Sequence, residues 1–179
     1  ANKQAIHMIS AWAANAHLVL GQRKVDEKSN EITAIPQLLQ MLELAGCIVT
    51  IDAMGCQKEI TAKIVEKKAD YVLAVKGNQG TLHEDIKTFF DDQIERGFDD
   101  YRKKPDAIGT YETVEHDHGR VDVRKYWIVS DINWLAEKKA WKGLAAIGCA
   151  RVTSTNGEKT TCDDRYYIVS TAMEARRFG

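Results

Sequence analysis

Asp52 is the side chain in this sequence best placed to do chemistry. It follows Ile48, Val49 and Ile51, a short β-branched run of the kind that forms a strand buried on both faces. Ala53-Met54-Gly55-Cys56 makes a small-residue turn, and residues 57–68 turn helical, with Ile60, Ile64 and Val65 on one side. A carboxylate that ends a central strand and faces the next helix sits where α/β folds place catalytic groups and metal ligands. Asp is also a good helix cap, and the spacing alone fits both roles.

Three further sets of polar residues have a chemical and a plain reading. Lys76, Asn78 and Gln79 follow the apolar run Tyr71-Val72-Leu73-Ala74-Val75, at the sheet edge expected for Asp52. One ammonium and two amides there could hold an anion such as a phosphate, and equally form a polar turn with a cap. Lys28, Asn30 and Glu31 precede the first helical stretch, where Glu31 could support Asp52 if both lie at one edge. An ion pair beside a helix N-terminus, which favours Glu, is the simpler account. His118, Arg120 and Arg124 on an expected hairpin, and Arg165 before two tyrosines, could touch a phosphate backbone; an exposed turn and tyrosine packing explain them as well.

The elements that must carry these groups follow from periodicity. Residues 5–13 and 17–25 read as two strands with so short a connection that they pair antiparallel. A helix follows, with Pro36 near its first turn, Ile35, Leu38, Leu39 and Leu42 on one face and Gly46 at its end. Then come the strand to Asp52, its helix, the strand 71–75, and a helix opened by a Thr81/Glu84 capping box, with Leu82, Ile86, Phe89 and Phe90 inward. Strands alternating with amphipathic helices imply a parallel sheet. After the charged connection 96–109 the pattern changes: strands at 111–115 and 121–129, a short helix at 134–142, and strands 144–155 and 159–170 about an Asn156-Gly157 turn.

Composition narrows the class. A chain of 179 residues with 44% hydrophobic and 28% charged residues can bury a core, and it has no apolar run near the ~20 residues of a membrane span. The four cysteines form no CxxC pair, which argues for a reduced, cytoplasmic protein without structural zinc. A net charge of -1 excludes a strongly basic nucleic-acid binder, so any phosphate-binding surface must be local.

Five segments together resemble bacterial insertion-sequence transposases of the Asp-Asp-Glu type, in the subgroup that includes the H-repeat-associated proteins of Rhs elements. They are Lys28-Ser29-Asn30-Glu31-Ile32, Thr50-Ile51-Asp52-Ala53-Met54-Gly55-Cys56-Gln57, Ala69-Asp70-Tyr71-Val72-Leu73-Ala74-Val75-Lys76-Gly77-Asn78-Gln79, His118-Gly119-Arg120-Val121 and Arg165-Tyr166-Tyr167-Ile168-Val169-Ser170. The resemblance implies an α/β fold: a ribonuclease H-like mixed sheet flanked by helices, with a β-rich antiparallel insertion. It divides the chain into a core over 1–95 lacking its first strand, an insertion over 96–163, and a return to the core over 164–179 short of the helix bearing the catalytic Glu.

The same resemblance implies cutting and joining of DNA by two Mg²⁺ (or Mn²⁺) ions on three carboxylates. Asp52 matches the second of the three; the first would precede Ala1 and the Glu would follow Gly179. The complete triad is needed for metal, so a central fragment is expected to be silent alone. DNA, at element ends and target, is the implied partner, with room for a homodimer in the intact parent and no role for a membrane. Two other readings stay open: a non-catalytic DNA-binding or assembly remnant, and a ribonuclease H-like nuclease or resolvase, which would need a full acidic cluster within this chain.

Overall fold

A computed structural model describes residues 7–25, 30–117 and 119–179. The chain opens with an antiparallel hairpin of β1 (Met8–Ala13) and β2 (Leu18–Lys24), followed by α1 (Glu31–Met41). Then β3 (Ile48–Ile51), α2 (Lys58–Glu66), β4 (Asp70–Val75) and α3 (Gly80–Glu95) alternate as their apolar periodicity requires. Four long strands complete the fold: β5 (Ile108–Asp117), β6 (Arg120–Val129), β7 (Ala146–Asn156) and β8 (Lys159–Val169), with a last short helix, α4 (Ala175–Phe178).

The long strands join the same sheet as β3 and β4. Its order is β3-β4-β8-β7-β6-β5; β3 and β4 run parallel, with Ile51 opposite Leu73, and every other pair is antiparallel. The architecture is the expected α/β one, a mixed sheet with helices and an antiparallel block, and the 163/164 boundary falls inside β8. That strand bonds β4 on one side and β7 on the other, so the antiparallel block extends the core's own sheet. The β1–β2 hairpin forms a sheet of its own. Its Ile9 and Ala11 reach the main core beside α1, which also carries Leu38 and Leu39.

The core lies between the sheet and α1, α2 and α3. Ile60 and Ile64 of α2 and Leu82, Ile86 and Phe90 of α3 bury against Tyr71, Leu73 and Val75 of β4 and Ile147 and Ile168 beyond. Each such aliphatic side chain removed from water contributes about 1.5–3 kcal/mol. On the other face, Phe178 of α4 sits over Gly148, and Ala175 lies by Gly109, closing a smaller apolar cluster. None of the described helices is long and apolar enough to cross a membrane.

Four local expectations change. Helix α1 starts at Glu31, so Pro36 lies in its interior, and it stops at Met41, leaving Gly46 (φ 75°) to a later turn. The Thr81/Glu84 capping box does not form: α3 begins at Gly80, its cap is Gln79, and the Gln79 amide is engaged elsewhere. The helix expected at 134–142 is one 3₁₀ stretch, Ala136–Ala140, because Trp134 and Trp141 are drawn into separate packing contacts. In the last hairpin Asn156 pairs with Lys159, so the turn is Gly157-Glu158; only Gly157 takes a positive φ (58°), as a II′-type turn demands of its first residue.

Candidate active site

Parallel pairing of β3 and β4 makes Asp52 and Lys76 leave the sheet at the same end. Both are exposed. Asp52 has extended backbone (φ -68°, ψ 179°), and its Oδ1 accepts the Met54 N–H at 3.1 Å, leaving Oδ2 without a protein partner among the described residues. The capping role weighed for Asp52 is therefore real, on the single 3₁₀ turn Ala53–Gly55, and it uses one oxygen of two. A cap orients the carboxylate without consuming it.

The turn is held from three directions. Gly55 lies so close to the strand it follows that a Cβ there would come within 2.3 Å of Ile51 Cγ2 and 3.1 Å of Ile35 Cδ1 of α1. Only glycine lets the turn fold back so tightly. From β4's side, Asn78 donates its Nδ2–H to the Ala53 carbonyl at 2.7 Å, and Gln79 donates to the Cys56 carbonyl at 2.9 Å and to Gln57 Oε1 at 3.2 Å. Both amides were candidates for contacting DNA; both donors of Gln79 and one of the two of Asn78 are used on the loop that carries Asp52. Cys56 is fully buried in the same turn, and burial pushes its thiol up to about 12, so it stays neutral and inert as a nucleophile or metal ligand near pH 7.

The support expected from the start of α1 is differently placed. Asn30 caps α1, its Oδ1 accepting the Thr33 N–H at 3.2 Å, and Glu31 pairs with His7 at 2.7 Å. Lys28 lies outside the described residues. Among those residues, no three of the His, Cys, Asp and Glu side chains gather as a metal site. Asp52 fits a divalent metal as one hard oxygen ligand, and one carboxylate alone cannot fill an octahedral shell or pin two ions.

The remaining candidates sit on a ribbon. Beyond the pairing of Val75 with Tyr166, β8 runs on to Lys159 with β7, β6 and β5 beside it. At about 3.3 Å per residue this carries four strands roughly 20 Å past the end where Asp52 and Lys76 emerge. Arg120 and Arg124 lie out on it and Arg165 at its root, one residue beyond the Val75–Tyr166 pair, and each has a carboxylate: Arg120 Nε to Asp122 at 2.6 Å, Arg124 Nη1 to Glu115 at 2.5 Å, and Arg165 Nε to Asp163 at 2.9 Å. These hydrogen bonds raise the guanidinium pKa of Arg120 and Arg124 further and hold Asp122 below the usual carboxylate range. His118 lies outside the described residues. Lys76, by contrast, has no carboxylate partner among them.

A family model described as the transposase DDE domain matches residues 1–179. The chain is 44% identical over 181 residues to a protein of Escherichia coli O157:H7 named "Putative transposase YncI", covering 98% of this chain and 44% of that one. It is 41% identical over 180 residues to "H repeat-associated putative transposase YhhI" of Escherichia coli K12, covering 97% and 45%. An uncharacterized protein in the dhlA 3′ region of Xanthobacter autotrophicus is 40% identical over 167 residues, 93% of this chain and 54% of that one. The chain thus spans about half the length of the curated relatives it matches. No solved structure matches it.

Proposed function

Because this chain belongs to the transposase DDE-domain family, we propose that it contributes part of a DNA strand-transfer site to a longer cytoplasmic protein, with Asp52 as one of its metal-binding carboxylates. The observation that carries this reading is the clamped turn: an exposed carboxylate with one oxygen free among the described residues, at the same sheet end as Lys76, which has no carboxylate partner among them, on backbone tied down by Asn78 and Gln79. Preorganisation of this kind is what a catalytic ligand needs and a surface cap does not. When bound, a pair of Mg²⁺ or Mn²⁺ ions would activate the attacking oxygen and stabilise the leaving one in an in-line displacement. This chain's own part is to hold one carboxylate in place and to offer the Lys76 ammonium to a phosphate.

An open sheet edge supports this proposal. Among the described residues, strand β3 is bonded on one side only, while the β1–β2 hairpin packs into the same core without pairing with it. A strand from the other half of the relatives' length would fit that unpaired edge and bring the first carboxylate, and a helix following residue 179 would bring the Glu. The expected result is that this chain alone, with element-end DNA and Mg²⁺ or Mn²⁺, cuts nothing, whereas the intact parent cuts and loses the activity on Asp52→Ala. Cleavage by this chain that vanishes in Asp52→Ala would overturn the incomplete-site reading.

A second reading, a non-catalytic DNA-binding or assembly remnant, draws on the lack of a three-residue metal cluster among the described residues. It predicts metal-independent, salt-dependent DNA binding that Asp52→Ala leaves unchanged, in a parent that does not cut.

A further inference from the structure

The connection between β6 and β7 is an ordered cover over α2 and α3. Trp134 stacks on Phe89 of α3 with centroids 4.8 Å apart, Trp141 is 1% exposed, the buried Tyr71 hydroxyl donates to the Lys142 carbonyl at 3.0 Å, and Glu137 pairs with Lys58 at the start of α2 at 3.0 Å. The connection is thus held at four points, one of them a backbone carbonyl. Between them opens a cleft of about 700 Å³ whose lining includes Asn133, Lys138, Lys139, Trp141 and Lys142 and no carboxylate. The connection has two acids, and both are engaged: Asp131 by Lys104 and Glu137 by Lys58.

Charge at this cleft is available, unlike charge on the ribbon. Lys138 donates to the neutral Asn133 side chain at 2.9 Å, and Lys139 and Lys142 have no partner among the described residues. Trp141 Nε1, fully enclosed, also has no acceptor. Three uncompensated ammonium groups on fixed backbone make a strong site for an anion. They are point charges without the fork of arginine, which suits phosphate oxygens in any orientation and reads no base edge.

We propose that this cleft, formed by Lys138, Lys139 and Lys142 around Trp141, is a sequence-independent contact for the sugar-phosphate backbone of DNA, separate from the Asp52 turn. It rests on the reading that the protein handles DNA. Its position against α2, whose first residues follow the Asp52 turn, places it to anchor a duplex flanking the reacting strand.

The test is duplex binding by this chain, read as anisotropy of a labelled duplex of mixed sequence over a series of salt concentrations. Replacing Lys138, Lys139 and Lys142 together with Gln should weaken binding equally for unrelated sequences. It should also make the log K against log salt plot shallower by about 2 to 3, as expected for three lost phosphate contacts at about 0.9 each. The double variant Lys139→Glu/Lys142→Glu leaves the Lys138–Asn133 bond intact and should weaken binding further, with thermal unfolding matching the parent chain. The indole N–H signal of Trp141 should shift on adding duplex to the parent chain and stay still in the triple variant. Unchanged affinity and slope in both variants, or no duplex binding at low salt, would overturn the cleft. The strand-transfer reading fails by a different outcome, cleavage by the intact parent that survives Asp52→Ala, which leaves the salt slope free to decide this proposal.

Discussion

Two regions at the same end of one sheet treat charge in opposite ways. At the β3–β4 end a few polar groups are set apart: Asp52 keeps one oxygen open, Lys76 has no partner among the described residues, and the holding is done by neutral amides of Asn78 and Gln79. On the projecting ribbon charged groups are dense, yet Arg120, Arg124 and Arg165 are matched to Asp122, Glu115 and Asp163. An ion pair between exposed groups contributes little to stability, about 0–1 kcal/mol, but it cancels the field a phosphate would feel. Uncompensated charge, held in place by uncharged contacts, is the better mark of a working site than charged residues counted along a chain.

The sharpest way to break this comparison is at Asp52. In the intact parent, Asp52→Ala should lower strand cleavage by at least about 100-fold, a loss at the upper end of what even outer-shell changes around a metal cause. In this chain it should shift the urea midpoint only by the loss of one cap, about 0.5–2 kcal/mol. A parent that keeps full activity would reduce Asp52 to a turn cap. Asn78→Ala comes next: the Ala53 carbonyl keeps the Cys56 N–H but loses the Asn78 donor, at a cost of about 0.5–1.5 kcal/mol by urea unfolding, and amide exchange should quicken at residues 53–57 ahead of the rest. Uniform quickening over the whole sheet would mean that Asn78 holds the fold and not the turn.

On the ribbon the expected effects are smaller and opposite in sign. Asp122→Asn removes the carboxylate shared by Arg120 and Arg124, so duplex binding at low salt should tighten a few-fold, on the order of one added phosphate contact, with a steeper salt dependence. Weaker binding would show that the ion pairs shape a DNA-contacting surface and do not mask one. The smallest effect is in the pH dependence of folding. Asp122 titrates below its ordinary value of 3.8 because Arg120 and Ser154 hydrogen-bond its charged form. A depressed carboxylate adds stability above its unfolded pKa and loses it as pH falls through the folded value. The melting temperature of the unsubstituted chain should therefore drop more than that of Asp122→Asn below about pH 3.8, and identical curves would mean that the pair adds nothing.

Much of the fold is legible in the chain because burial and periodicity are local signals. Ile48, Val49 and Ile51 announce β3, Ile60 and Ile64 announce the inward side of α2, and Tyr71, Leu73 and Val75 alternate inward along β4. The ends of elements were less legible. The cap of α3 fell to Gln79 and the last hairpin turned one residue late, because those choices depend on partners remote in sequence, the Cys56 carbonyl in one case and the β8 register in the other. The lysines of residues 138–142 were legible as letters, but nothing nearby in sequence says that Glu137 is claimed by Lys58 and that their own charges are not.

By itself the sequence determined the alternation of elements, the family, and Asp52 at the mouth of a strand, since apolar spacing and short motifs act over a few residues. Only the tertiary structure decided which charges are open and which are cancelled. Hydrogen bonds and ion pairs act within about 3 Å of space, and the fold alone brings Asn78 to Ala53, Arg124 to Glu115 and Lys58 to Glu137.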